Sequence, residues 1–326
     1  MEIDQSQHID SQLAQELANL PAMPKVVLGR SGIVSTRIGF GTAGWTQHVS
    51  YEQVLRVMET VFACGIRHID TAPAYGSEEI IGRALQEVKV PKDTVLATKV
   101  GSFVDKELDA HYSNFSATTT YRSVERSLKY LGVSYLNIVH IHDHALRDQQ
   151  WIFGKHGALA ALLDLKSQGV IGSIGMATMA LECLLPAVAH GDFDHIQAFH
   201  TDTLLNQTAR AELFPKARAA HLSVLNNAPY AGYILATGAV PDARYNYGPA
   251  SPEVIAATKR LEAICAQKGV ALATAAHAYS FQDPLVDVTV IASGNPHHII
   301  GWVKDLVTPL TAADFDELIK AAGGPF

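Results

Sequence analysis

Short apolar segments alternate with longer helix-like segments from Ile38 to the end of the chain, and this alternation limits the fold more than any other feature. Repeated strand–helix units of this kind are typical of parallel sheets covered by helices. Eight strands are predicted near Ile38–Gly41, His68–Asp70, Val95–Val100, Asn137–His142, Gly172–Met176, His195–Phe199, Ser223–Asn226 and Thr289–Ala292.

Helices are predicted between and after these strands. They lie near Tyr51–Cys64, Glu78–Val88, Thr118–Leu131, Ala158–Gln168, Leu181–His190, Ala209–Ala219, Pro252–Lys268, Leu272–Phe281, Pro296–Leu306 and Ala312–Ala322. Eight strand–helix units without a low-complexity linker predict an α/β fold, a single (β/α)8 TIM barrel over residues 25–326. A Rossmann nucleotide site is not indicated, because no strand–GxGxxG–helix unit is present.

Two elements precede the first barrel strand. Residues 1–24 form an N-terminal extension in which Ile9, Leu13, Leu17 and Leu20 recur at helical spacing, so we expect a short helix there. The segment from Val26 to Ile38 alternates around a Gly-Arg-Ser-Gly turn, which predicts a hairpin.

Four polar side chains fall at the ends of successive predicted strands. The segment GIRHIDTAPAY ends its strand on Asp70, a carboxylate that a buried strand normally excludes, and Tyr75 follows five residues later. The next two strands carry Lys99 and His142 near their ends. Because parallel barrel strands end at one rim, where such folds place chemistry, we expect these four side chains to lie together.

Four motifs, in this order, resemble the aldo-keto reductase superfamily: FGTAG at Phe40–Gly44, GIRHIDTAPAYGSEEIIGRAL at Gly65–Leu85, ATKVG at Ala97–Gly101 and NIVHIHD at Asn137–Asp143. The resemblance runs from about Lys25 to Ala321 and is closest to the branch of L-fucose and D-threo-aldose 1-dehydrogenases and pyridoxal 4-dehydrogenase. It implies a barrel whose bottom is closed by the hairpin. It also implies an NAD(P)-dependent oxidoreductase that transfers a hydride to or from a carbonyl carbon.

The resemblance assigns catalytic roles to the four rim residues. Tyr75 would exchange a proton with the substrate oxygen, although a free phenol has a pKa of about 10. Lys99 would lower that pKa, since a cation within roughly 4–6 Å favours the phenolate. Asp70 would keep Lys99 charged and aimed, and His142 would hydrogen-bond the substrate oxygen.

The positions implied for the cofactor depart from the family's pattern. Ala177 and Thr178 stand where a Ser-Asn pair generally holds the nicotinamide amide, and Asn227 stands where many members have a stacking tyrosine. These departures leave the retention of redox activity open. The implied cofactor-binding residues are Gly41, Thr42, Ala177, Thr178, Gln197, Asn227, Ala231, Gly232, Ser293, Gly294, Asn295 and His298.

The loop after the eighth strand predicts NAD in preference to NADP. A 2′-phosphate needs arginine or lysine partners, and the family takes them from this loop and the helix that follows. The segment from Ser293 to Trp302 contains neither residue, and its two histidines are mostly uncharged at neutral pH.

Aromatic and polar side chains in the loops after the predicted strands, where the pocket wall is expected, predict a hydroxylated substrate. They suit a sugar or another hydroxylated ring, so we expect a hydroxylated aldehyde, hemiacetal or aldose. The candidate substrate contacts are Trp45, His111, Asp143, His144 and Tyr230.

Two other functions are left open. A lyase, isomerase or hydratase would use the same four residues without net redox chemistry. A metal-dependent hydrolase would use His140, His142 and His144, which share one face of an extended strand. No second group of His, Asp and Glu follows at the other strand ends, so we expect no metal and predict that His140 is a hydrogen-bonded interior residue.

Charge and cysteine content restrict the partners. The formal charge of −7 gives no support for binding nucleic acid or an anionic membrane, and no apolar run is long enough to span a bilayer. The polar N-terminus does not resemble a secretory signal, and the three cysteines, far apart in sequence, are predicted to be reduced and buried. We therefore expect a cytoplasmic enzyme whose partner is a small molecule; the oligomeric state is left open.

Overall fold

The strands follow the predicted alternation. The computed structural model describes residues 9–45, 49–105, 110–142, 145 and 148–326. The strands in chain order are β1 (Lys25–Leu28), β2 (Ile33–Thr36), β3 (Ile38–Gly41), β4 (His68–Asp70), β5 (Val95–Val100), β6 (Ser102–Asp105), β7 (Ala110–Ser113), β8 (Leu136–His142), β9 (Ile171–Thr178), β10 (His195–Phe199), β11 (Ser223–Asn227), β12 (Arg244–Tyr245), β13 (Gly248–Pro249) and β14 (Val288–Ile291).

The predicted barrel helices are observed to within about two residues, with one exception, and two short helices, Gln149–Phe153 and Ile234–Thr237, were not predicted. The helix predicted near Ala209–Ala219 is broken at Glu212 into two short helices. The helices are α1 (Ser11–Leu17), α2 (Tyr51–Ala63), α3 (Glu78–Glu87), α4 (Ala117–Leu131), α5 (Gln149–Phe153), α6 (Ala158–Ser167), α7 (Leu181–His190), α8 (Thr208–Ala211), α9 (Leu213–Ala219), α10 (Ile234–Thr237), α11 (Pro252–Gln267), α12 (Leu272–Gln282), α13 (Pro296–Asp305) and α14 (Ala312–Ala322).

Eight of the strands close into a barrel. Their order around it is β3-β4-β5-β8-β9-β10-β11-β14, and every neighbouring pair is parallel. The predicted (β/α)8 TIM barrel is thus confirmed. Two short antiparallel pairs, β6–β7 and β12–β13, lie in loops that leave the C-terminal ends of barrel strands.

The β1–β2 hairpin closes the bottom of the barrel, as predicted. Leu28 is fully buried against inward-facing apolar residues of the strands, among them Val95 and Val288. At the turn, Gly29 has a φ of 43°, and an added Cβ would lie 2.5 Å from the carbonyl oxygen of His221. Glycine is required there, because the turn lies directly against the loop that precedes β11.

Helix α1 of the N-terminal extension packs on the outer helical layer. Asp10 caps it by accepting the Leu13 N–H at 2.9 Å, and the Leu13 side chain is fully buried. Glu16 lies 3.1 Å from His297 Nδ1 and 3.2 Å from Lys304 Nζ, both on α13. The extension therefore binds beside the helix that follows the last barrel strand.

Three fully buried histidines, His68, His140 and His195, form a layer inside the barrel below the rim. Both ring nitrogens of His195 lie 2.7 Å from serine hydroxyls, those of Ser173 and Ser223. Burial lowers the pKa of His68 to about 4 and that of His195 to about 3, and it holds the pKa of His140 well below its usual range. All three rings are therefore neutral near pH 7.

His140 corrects one prediction. It is an interior residue, but neither ring nitrogen has a hydrogen-bond partner among the described residues. Its partner in register on β9 is Gly175, where an added Cβ would lie 2.2 Å from His140 Cδ2. Gly175 thus makes room for the ring and offers it no polar side chain.

Two further sequence predictions concern the cysteines and membrane-spanning segments. Cys64, Cys183 and Cys265 are buried and carry free thiols, as predicted. No helix within the described ranges has the length and hydropathy needed to cross a bilayer.

Acid should destabilise the protein through the histidine layer. Each histidine in the unfolded chain has a pKa of about 6.5, whereas the folded values are lower, so only the unfolded state binds these protons as pH falls below 6.5. The free energy of unfolding should therefore fall from about pH 6.5 through pH 4. We expect His195→Gln to reduce the slope of this free energy against pH by about one proton near pH 5, measured by urea unfolding. An unchanged slope would contradict the neutral layer.

Candidate active site

A short turn presents Tyr75 to the barrel rim. Asp70 ends β4, and Pro73 then begins a 3-10 turn in which the Tyr75 N–H donates to the Ala72 carbonyl at 3.0 Å. Gly76, with a φ of 63°, ends this turn and leads the chain into α3. The left-handed residue directs the chain outward while leaving the phenol at the rim.

Lys99 and Asp70 form an ion pair inside the barrel mouth. Lys99 Nζ lies 2.5 Å from Asp70 Oδ1 and also donates to the Thr71 carbonyl at 2.9 Å. Each residue is only 1% exposed. The ammonium lies 4.8 Å from the centre of the Tyr75 ring, so the predicted cation, carboxylate and phenol do lie together.

His142 completes the group of four. Its ring meets the Tyr75 ring edge-on, with centroids 5.7 Å apart and planes at 89°. Burial, together with the Lys99 cation, holds the pKa of His142 well below its usual range. The imidazole is therefore neutral at physiological pH, and a neutral imidazole carries one N–H that can be donated.

Gln197 extends the group across the barrel. Its Nε2 donates to Asp70 Oδ2 at 2.8 Å and to Asn227 Oδ1 at 3.1 Å. Its Oε1 is buried and accepts no hydrogen bond from any of the described residues. Ala177 is the partner in register of both Gln197 and His142, so a small apolar residue lies between them on β9.

The remaining cofactor candidates at the C-terminal ends of β3 and β9 are buried. Gly41 ends β3, and the Thr42 hydroxyl lies 3.0 Å from that of Ser77 and 3.3 Å from the Asp70 carbonyl. The Thr178 hydroxyl accepts the Ala180 N–H at 3.3 Å. Both hydroxyls therefore have partners within the protein.

The loop after β11 contains three successive residues in the left-handed region. Their φ values are 51° at Ala231, 75° at Gly232 and 84° at Tyr233. An added Cβ on Gly232 would lie 2.4 Å from the Asn246 carbonyl oxygen, so this turn is tightly held. Backbone held in this sparsely populated region is concentrated at functional sites.

The loop after β14 leads directly into helix α13 and contains the last group of cofactor candidates. Asn295 Oδ1 accepts the His297 N–H at 3.0 Å, which is a helix cap. The Ser293 hydroxyl lies 2.9 Å from His298 Nδ1, and the Gly294 carbonyl accepts from Gln53 at 2.6 Å.

Known proteins are similar to this chain in sequence and in fold. Residues 37–322 match the model of the aldo/keto reductase family. The chain belongs to the aldo/keto reductase family. It is 28% identical over 317 residues to pyridoxal 4-dehydrogenase of Microbacterium luteolum, a match that covers 86% of this chain and 92% of that protein. It is 27% identical over 316 residues to D-threo-aldose 1-dehydrogenase of a Pseudomonas species, covering 89% and 95%.

A solved structure with the same fold is the holo form of aldo-keto reductase AKR11C1 from Bacillus halodurans. It has a TM-score of 0.77 at 23% identity, and the match covers 92% of this chain and 96% of that one. This aldo/keto reductase is accordingly an oxidoreductase, and enzymes of the family use nicotinamide cofactors.

The candidate substrate contacts are only partly described. Trp45 is 3% exposed and packs edge-on against Phe40, with ring centroids 5.2 Å apart. Tyr230 packs against the hydrophobic core, and its side chain hydrogen-bonds Trp302 on α13. Asp143 and His144 lie outside the described residues, and for His111 only the backbone, in β7, is described.

The structure does not support the hypothesis of a metal-dependent hydrolase that uses His140, His142 and His144. In the described part of the chain, no three His, Cys, Asp or Glu side chains are grouped so that they could hold a metal. His140 and His142 contribute to different layers, the buried histidine layer and the rim.

One pairing of aromatic residues at the rim of this aldo/keto reductase, between the end of β10 and the loop after β11, was not predicted. Phe199 ends β10, and its ring stacks on Tyr247 with centroids 5.7 Å apart and planes at 16°. His200 meets the same tyrosine edge-on at 5.9 Å. Tyr247 comes from the β12–β13 hairpin, so only the folded loop brings it to this strand.

Proposed function

We propose that this aldo/keto reductase is an NAD-dependent oxidoreductase that acts on a hydroxylated aldehyde, hemiacetal or aldose, with Tyr75 as the proton donor and acceptor. One observation carries the proposal. Lys99 is buried 4.8 Å from the Tyr75 ring and is held there by Asp70. A buried ion pair contributes little net stability, so its position beside a phenol favours a catalytic role.

The chain's own residues can move one proton and orient one oxygen. The Lys99 ammonium favours the phenolate form of Tyr75, which makes the phenol a better proton donor and acceptor near neutral pH. Neutral His142, edge-on to that ring, has one N–H to donate to a carbonyl oxygen. The two groups therefore suit a substrate oxygen that gains or loses a proton.

Polar groups near the rim fit a nicotinamide dinucleotide. The buried Gln197 Oε1 is an acceptor without a partner in the described part of the chain, and an amide N–H of a carboxamide would satisfy it. In the left-handed turn the Ala231 N–H donates to the Ala228 carbonyl at 3.1 Å, so the Gly232 N–H is the backbone donor there that we propose for an anion such as a pyrophosphate. When bound, the nicotinamide supplies or accepts the hydride that a redox reaction at the substrate carbon requires.

The substrate class is supported by the rim and by the relatives. Phe199, His200 and Tyr247 present aromatic surfaces together with imidazole and hydroxyl groups. Such surfaces pack against a sugar ring and hydrogen-bond its hydroxyls better than they hold an aliphatic aldehyde. One relative is named for an aldose and another for pyridoxal. Both compounds are hydroxylated and contain an aldehyde group.

Glu16 supports the preference for NAD. The N-terminal helix places its carboxylate against His297 and Lys304, so the lysine on this part of α13 already has an anionic partner. A 2′-phosphate bound here would approach that carboxylate, and like charges at short range are repulsive. A 2′-hydroxyl would meet no such penalty.

Tyr75→Phe tests the proton-transfer role. The substitution removes one hydroxyl and keeps the ring that contacts Lys99 and His142, so we expect unchanged circular dichroism and a similar NADH dissociation constant. Turnover of the best aldose substrate should fall by at least a hundredfold, since general acid–base catalysis contributes about 10²–10⁴-fold. Wild-type turnover by this variant would exclude Tyr75 as the proton donor.

Dinucleotide titration tests the cofactor preference. Fluorescence titration at pH 7.5 should give tighter binding of NADH than of NADPH, by about tenfold or more. Glu16→Gln should narrow this difference, while Glu182→Gln, an equivalent loss of charge on α7, should leave it unchanged. Tighter NADPH binding would contradict the preference. Binding of neither dinucleotide at millimolar concentration would favour the non-redox alternative.

A further inference from the structure

A row of four hydrogen-bonded side chains crosses the barrel mouth. It runs from Lys99 on β5 through Asp70 on β4 and Gln197 on β10 to Asn227 on β11. Three strands separate β4 from β10 around the barrel on the side through β11. The contact between Asp70 and Gln197 therefore passes through the barrel interior and joins opposite walls.

We propose that Gln197 and Asn227 are positioning residues for Asp70, so that they hold the carboxylate, and through it Lys99, in place beneath Tyr75. This inference rests on the proposed function and deepens it. It gives Gln197 a role beyond contacting a cofactor, and it gives Asn227 a role other than stacking on a nicotinamide.

Donor and acceptor chemistry fixes the orientation of the row. An ionised carboxylate only accepts hydrogen bonds, so the amide of Gln197 must turn its Nε2 toward Asp70. Asn227 Oδ1 accepts from the same nitrogen at 3.1 Å, which favours this orientation of the amide over the flipped one. The Gln197 Oε1 must then face away from Asp70.

Two donors restrain the carboxylate itself. Asp70 Oδ1 accepts from Lys99 at 2.5 Å, and Oδ2 accepts from Gln197 at 2.8 Å. Rotation of the carboxylate would break both bonds. Gln197 and Asp70 are 1% exposed and Asn227 is 8% exposed, so water cannot readily replace a lost donor. A charge-assisted hydrogen bond in such a site is stronger than a neutral one.

The competing role for Gln197 is contact with the dinucleotide alone, with Asn227 only filling space. Asn227 separates the two roles, because its substitution removes the acceptor that orients Gln197 and leaves the Gln197 Oε1 in the protein. A dinucleotide contact would alter cofactor affinity, whereas a positioning role alters the proton-transfer step.

The experiment compares Asn227→Leu and Gln197→Leu with the wild type. We expect Asn227→Leu to lower kcat about tenfold or more. The limb of the kcat–pH profile that reports the ionisation of Tyr75 should move to higher pH. The NADH dissociation constant should change by less than about twofold. Gln197→Leu should move the same limb and also weaken NADH binding. Asn137→Leu, which removes an asparagine hydrogen bond at the opposite end of the barrel, is the matched control and should leave the limb in place.

Asn227→Ala decides the question if Asn227→Leu does not fold, because it removes the acceptor without adding bulk. A wild-type pH profile in a folded Asn227 variant would overturn the inference, as would an effect confined to NADH affinity.

A readout without turnover separates this inference from the proposed function. Ultraviolet difference titration of each protein against the same protein carrying Tyr75→Phe isolates the ionisation of that phenol. In the Asn227 variants it should occur at higher pH than in the wild type; an unmoved ionisation overturns the inference. Absence of dinucleotide binding and redox turnover in the wild type would overturn the proposed function, while this titration would still decide the role of the row.

Discussion

The buried ion pair of Lys99 and Asp70 is the interaction on which the arrangement of the barrel mouth depends. Two charges removed from water are costly unless each has partners, and a single unpaired one costs several kcal/mol, about 3–5. The surrounding side chains supply those partners: the Thr71 carbonyl for the ammonium and the Gln197 amide for the carboxylate. The result is a fixed cation beside Tyr75, which a solvent-exposed lysine on a flexible stem would not provide.

The barrel interior below this pair is built in layers with different physical properties. Leu28 and inward-facing valines close the bottom with an apolar plug. Above it, His68, His140 and His195 form a neutral polar layer, since burial lowers the pKa of each ring. The buried Lys99–Asp70 pair lies above this layer at the rim, where the Lys99 cation in turn helps to keep His142 neutral. A neutral His142 can donate to a carbonyl oxygen without competing with Tyr75 as an acid.

The sequence predicted the barrel and the grouping of four polar side chains at its rim because both depend on local patterns. Strands such as Ile38–Gly41 and His68–Asp70 have the predicted bounds, and parallel strands necessarily bring their polar C-terminal residues to one rim. The bond from Gln197 to Asp70 could not be predicted, since it exists only once the barrel closes and faces β10 toward β4. The His140 ring, which has no hydrogen-bond partner among the described residues, depends likewise on its register with Gly175. The place of helix α1 on α13 depends on tertiary packing.

Combined replacement of Lys99 and Asp70 tests most directly whether the pair exists for chemistry. Lys99→Met alone leaves an unpaired buried carboxylate and should lower the free energy of unfolding by about 3–5 kcal/mol. Adding Asp70→Asn removes that charge and keeps an acceptor for Gln197. The free energy of unfolding, measured with urea, should therefore return to near the wild-type value or above it. We expect this double variant to be stable and to show no aldose turnover. A double variant as unstable as Lys99→Met, or one that retains wild-type turnover, would contradict the account.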